Sequence, residues 1–175
     1  MKKVIGVFMD PQQAELAASD LIDAGINTDN ISVLAQRGVV EEVVGEDKGE
    51  SALESAGAGA LGGTAVGGLI GLIAGASALL IPGLGPMLAA GAWATVLGTA
   101  AAGAGVGAAY GGLVGGLVGM GVSEEKTHVY TEGVEKGGVL LLVDPDDSDK
   151  IEAVENIMIR HDGLGVDVIR QPDKS

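Results

Sequence analysis

Residues 57–75 read GAGALGGTAVGGLIGLIAG, and residues 103–121 read GAGVGAAYGGLVGGLVGMG. A glycine recurs at every fourth position of each stretch: Gly59, Gly63, Gly67, Gly71 and Gly75 in the first, and Gly103, Gly107, Gly111, Gly115 and Gly119 in the second. Residues four apart share one face of an α-helix, so each series would form a stripe of backbone without Cβ atoms. Helices can approach closely along such stripes. We therefore expect these ten glycines to be helix-packing residues.

A proline- and glycine-rich segment, Pro82-Gly83-Leu84-Gly85-Pro86, separates the two stretches and is a turn that a helix does not easily cross. It leaves arms of 27 residues (55–81) and 35 residues (87–121). A helix needs about 20 residues to span a bilayer. The pattern therefore predicts a glycine-zipper helical hairpin over residues 55–122.

The predicted hairpin is uncharged: 69 consecutive residues between Glu54 and Glu124 contain no Asp, Glu, Lys, Arg or His. Ten glycines inside helices cost roughly 8–10 kcal/mol relative to alanine, so the helices need tight packing away from water. Two arrangements provide such packing. One is a transmembrane hairpin in a lipid bilayer, and the other is a soluble, self-assembled bundle of helices in a homo-oligomer. All ten Lys and Arg lie outside the hairpin, which in the membrane case predicts both termini in the cytoplasm. The alternative is a cytoplasmic soluble assembly.

The charged ends of the chain repeat one plan. Residues 1–36 predict a strand (Lys3–Phe8), an Asp10-Pro11 helix start, a helix ending at Gly25 and a strand (Ile31–Ala35). Residues 123–175 predict an extra helix from Glu124 to Lys136, a central strand (Val139–Val143), a helix with Ile151, Val154, Ile157 and Met158 on one face, and an edge strand (Val166–Arg170). Residues 37–54 read as an acidic linker that turns helical near Glu50. Two βαβ units predict the α+β class, as a ferredoxin-like βαββαβ sandwich carrying the inserted hairpin.

No motif in the sequence indicates catalysis or a cofactor. Residues 57–62 fit G-x-G-x-x-G, but no strand precedes them and no acidic residue follows before Glu124. The aspartates of residues 144–149 lack the glycine and distal glutamate of a calcium loop, and read as helix caps. Two histidines without any cysteine do not make a metal site. A net charge of −14 argues against nucleic acid. We expect no catalytic residue, no cofactor, no metal, and a protein that is not an enzyme.

Several segments resemble a known family. The strand Lys3–Phe8, the pair Asp10-Pro11 and the helix ending near Gly25 resemble the heat-induced stress proteins of the general stress protein 17M type. Residues 81–87 (IPGLGPM), 115–122 (GGLVGMGV) and 132–140 (EGVEKGGVL) are similar to the same proteins and to uncharacterised predicted membrane proteins with glycine-zipper hairpins. The resemblance covers most of the chain. It implies a stress response and supplies no catalytic residue.

Two functions are consistent with the sequence. The first is a non-enzymatic, stress-associated protein that binds further copies of itself, a lipid bilayer, or both, through the hairpin. The second is a soluble regulatory or small-ligand-binding ferredoxin-like module whose hairpin mediates oligomerisation. The second predicts that the protein still folds when a short linker replaces residues 55–122.

Overall fold

A computed structural model describes residues 2–44, 77–81, 85–103 and 108–170, and these residues form an α+β fold. The strands are β1 (Lys2–Phe8), β2 (Ile31–Gln36), β3 (Ser77–Ile81), β4 (Gly85–Ala90), β5 (Val139–Val143) and β6 (Leu164–Arg170). The α-helices are α1 (Pro11–Asp23), α2 (Arg37–Val44), α3 (Ala92–Gly103), α4 (Ala108–Gly119), α5 (Glu124–Glu135) and α6 (Ile151–Arg160).

The helix starts and stops follow local side-chain chemistry. The Gln12 backbone N–H donates to Asp10 Oδ1 at 2.9 Å, and Pro11 is the first residue of α1. Gly25 follows α1 at a φ of 80°, and Gly137 follows α5 at 90°, in a backbone region that favours glycine. The predicted α1 and α5 are therefore confirmed, although the Ser123 side chain makes no capping hydrogen bond at the start of α5.

The strands form one antiparallel sheet in the order β3-β4-β2-β5-β1-β6. Strand β5 lies between β2 and β1, and all five of its residues are buried. Its unbroken aliphatic run suits this position, because helices cover both faces of the sheet. The predicted central position of β5 and edge position of β6 are both confirmed.

Helices α1, α2 and α6 cover the first face of the sheet and complete the first core. The apolar residues predicted for α1 and α6 are buried there: Ala14, Ala17, Ala18, Leu21, Ile151, Val154, Ile157 and Met158. Alternate residues of the strands, such as Val33 and Leu141, meet them. The first core therefore has the composition that the helical periodicity predicts.

Helices α3, α4 and α5 form the second core with the opposite face of the sheet. Its largest fully buried side chains include Trp93 of α3, Leu113 and Leu117 of α4, and Tyr130 of α5. From the sheet, Ile5 and Leu140 are among the residues that meet them. Part of the predicted hairpin region therefore packs onto the domain that the N-terminal and C-terminal regions of the chain form.

The expectation of two uninterrupted helical arms is wrong where the structure describes them. Residues 77–81 and 85–90 are paired strands, and the rest of the second arm contains α3 and α4 instead of one helix. The reason is long-range: the outer edge of β2 takes β4 as a partner, from Val33↔Ala90 to Gln36↔Met87. Residues 45–76, 82–84 and 104–107 lie outside the described residues, and so do Gly59, Gly63, Gly67, Gly71, Gly75 and Gly107.

The first part of the predicted acidic linker is also helical. Residues 37–44 form α2, which places Val40 in the first core and pairs Arg37 Nε with Glu41 Oε1 at 2.9 Å. The acidic residues indicated a linker, but they lie on the solvent side of an amphipathic helix.

The start of α3 depends on a contact with β2. The Ala92 backbone N–H donates to Ser32 Oγ at 2.9 Å, so a strand residue caps the helix. Gly91 precedes the helix at a φ of 68°, and a Cβ there would overlap Ser32 Oγ and lie 3.0 Å from Ser32 Cβ. A glycine is therefore required at position 91 for the helix to meet its cap.

Tyr130 ties α5 to the edge strand, since its hydroxyl donates to the Gly165 carbonyl oxygen at 2.5 Å. Burial raises the pKa of Tyr130 well above its usual value, and the nearby charge of Asp167 raises it further. An unfolded chain ionises tyrosine near pH 10. The folded form therefore keeps its full stability from this residue below about pH 10 and loses it as the pH rises further.

We expect Tyr130→Phe to lower the free energy of unfolding by about 1 kcal/mol at pH 8, because one partly buried hydrogen bond is lost. Above about pH 10 this deficit should shrink, since phenylalanine carries no ionisation penalty. Urea unfolding of both proteins at pH 8 and near pH 11 measures it. A deficit that is constant with pH would contradict the buried neutral tyrosine.

In the described ranges, the structure contains no helix with both the length and the apolar character required to cross a bilayer.

Candidate assembly surface

Helix α4 packs between α3 and α5 and has two different sides. Leu113 and Leu117 lie on its inner side and are fully buried in the second core. Successive residues of a helix are about 100° apart, so the positions opposite these leucines face away from the core. They are occupied by three glycines of the predicted stripe and one valine.

These four residues, Gly111, Gly115, Val118 and Gly119, are exposed, and we call them the outer face of α4. No described atom lies within 4 Å of a Cβ built at any of the three glycines. The Val118 side chain is 43% exposed. The described part of the chain therefore leaves these stripe residues uncovered, and their packing role remains a prediction.

A different glycine makes the close contact between α3 and α4. A Cβ added at Gly116 would lie 2.6 Å from Val96 Cγ1, so this position needs the small residue. Gly116 lies outside the four-residue series that begins at Gly103, so that spacing did not predict its contact. The Gly-Gly pairs at 111–112 and 115–116 carry the available signal, since a second row of glycines runs beside the first.

The outer face lies in an uncharged stretch of the chain that ends at Glu124. Helices α3 and α4 contain no Asp, Glu, Lys, Arg or His. The next charged residues along the chain are Glu124 and Glu125, both exposed in the first turn of α5. Water solvates the outer face only through backbone groups and small side chains, so a second apolar surface could replace that water at little electrostatic cost.

Trp93 lies in the second core with a polar atom that no described residue satisfies. The side chain is fully buried, and its Nε1 has no hydrogen-bond partner in the described part of the chain. Trp93 therefore fills space in the second core.

His161 and Asp147 have structural partners that account for these polar side chains. His161 Nε2 lies 2.7 Å from Asp20 Oδ2 and joins α6 to α1, whereas His128 is exposed on α5. Asp147 Oδ1 accepts from the Asp149 backbone N–H at 3.1 Å, so it caps the turn before α6. Within residues 2–44, 77–81, 85–103 and 108–170, no three His, Asp or Glu side chains are grouped to hold a metal ion.

Comparison of the chain with protein-family models, with curated proteins and with solved structures finds no match.

Proposed function

We propose that this chain is a non-enzymatic, stress-associated protein that binds further copies of itself through the outer face of α4. The observation that supports this proposal is the uncharged outer face, which no described residue covers and which carries three glycines at i, i+4 and i+8. The stress association rests on the family resemblance alone. Measuring the protein level before and after heat shock tests it, and an unchanged level would contradict it.

A second helix is the partner that suits this surface. Without Cβ atoms on the stripe, two helix backbones can approach closely and gain dispersion contacts and weak Cα–H···O bonds. The same face on another copy is complementary, because neither side carries charge. An antiparallel crossing keeps Glu124 and Glu125 of the two copies apart, whereas a parallel crossing would bring them together in a chain of net charge −14.

The soluble head of this protein is, in our proposal, a ferredoxin-like sandwich that carries the apolar region as an insertion. The order β2-β5-β1-β6 and the mutual packing of α1 and α6 on one face support it. The same arrangement weakens the alternative of a ligand-binding module that uses its sheet, because the described helices pack on both faces of that sheet.

Association with a lipid bilayer, with both termini in the cytoplasm, is a second proposal. It is supported by the 69 uncharged residues between Glu54 and Glu124. Flotation of the full-length protein with phosphatidylcholine vesicles tests it. Recovery of the protein with the vesicles in high salt is the expected result, since the contact would be apolar. Quantitative recovery in the soluble fraction would overturn this second proposal and leave self-assembly intact.

We expect Gly115→Leu to weaken self-association by tenfold or more, because the leucine side chain separates the two backbones. Leucine is the better helix former by about 0.8 kcal/mol, so the folded chain itself should not lose stability. Sedimentation equilibrium gives the association constant, and urea unfolding gives the stability. Gly38→Leu is the matched control, since Gly38 is also an exposed helical glycine with no described atom within 4 Å of its Cβ position. Equal association constants for the two variants would refute the proposal.

The absence of native cysteine allows the partner to be identified by crosslinking. A disulfide forms only when two Cα atoms lie within about 7 Å. Gly115→Cys alone should give a disulfide-linked dimer on oxidation if a second copy covers the outer face, and Gly38→Cys should not. If instead only the double variant Gly67→Cys/Gly115→Cys crosslinks, and does so within one chain, the first glycine series covers this face and self-association through it is wrong.

A further inference from the structure

We draw no further inference here: the strongest candidate, the exposed side chains of Ile159 and Leu164 where α6 leads into the edge strand β6, carries nothing because no feature of the described part of the chain indicates what covers them.

Discussion

A chain in which a short linker replaces residues 55–122 is expected not to fold. The replacement removes β3 and β4, and with them the hydrogen-bonding partner of the outer edge of β2. It also removes much of the second core, including the fully buried Trp93, Leu113 and Leu117. Each large side chain contributes about 1.5–3 kcal/mol on burial, and together such losses approach or exceed the roughly 5–15 kcal/mol that stabilises a domain.

Circular dichroism and urea titration of the shortened chain measure this outcome. We expect no cooperative unfolding transition, together with binding of a dye that reports exposed apolar surface. Single substitutions give a graded comparison: Leu117→Ala should cost about 2–5 kcal/mol, while Leu16→Ala, at a half-exposed site, should cost under about 0.5 kcal/mol. A shortened chain that unfolds cooperatively would contradict the claim that the fold requires the second core. It would favour the ligand-binding alternative.

Replacing Gly91 with alanine is expected to destabilise the protein by about 3 kcal/mol or more. Alanine in the left-handed region costs roughly 1–2 kcal/mol. The added Cβ would also displace Ser32 Oγ, so the Ala92 N–H at the start of α3 would lose its acceptor. Loss of a helix cap costs about 0.5–2 kcal/mol, and Ser32 is too buried for water to replace it readily.

The control for this prediction is Gly85→Ala. Gly85 has a φ of 80°, but no described atom lies within 4 Å of its Cβ position. That variant therefore pays only the backbone cost, and the difference between the two variants isolates the contact with Ser32. The double variant Ser32→Ala/Gly91→Ala should lose less stability than the two single variants lose in total. The reason is that the hydroxyl displaced by the Gly91→Ala substitution is already absent when Ser32 is replaced by alanine. Urea unfolding provides all these values, and equal losses at positions 85 and 91 would show that the contact is unimportant.

Local chemistry was sufficient to predict the elements at the two ends of the chain. Helix α1 begins after Asp10, at Pro11, and ends before Gly25. Both limits were predictable because helix capping and left-handed backbone depend on only a few neighbouring residues. The aliphatic run of β5 predicted a strand with two covered faces for a similar reason: its five residues have no polar side to expose. Such signals survive without knowledge of the rest of the fold.

The strands β3 and β4 could not be predicted in the same way. Leu79, Leu80 and Ile81 suit a buried helix and a buried strand equally well, and periodicity does not separate the two in so short a run. The deciding interaction is the free edge of β2, more than forty residues earlier in the chain. In the candidate surface, likewise, the spacing of Gly111, Gly115 and Gly119 was visible in the sequence, but the side of α4 that meets Val96 was not.

The central position of β5 also sets the order in which the chain can assemble. In the finished sheet β5 lies between β1 and β2, so these two strands are not neighbours. Val143 of β5 is opposite Val4 of β1 on one side and opposite Ile31 of β2 on the other. Strand β1 therefore lacks both of its native neighbours, and β2 lacks one of its two, until the ribosome has produced residues 139–143. By then the whole uncharged middle of the chain has already been synthesised. We expect aggregation and chaperone binding to be most frequent in the interval between the synthesis of this uncharged stretch and the synthesis of β5.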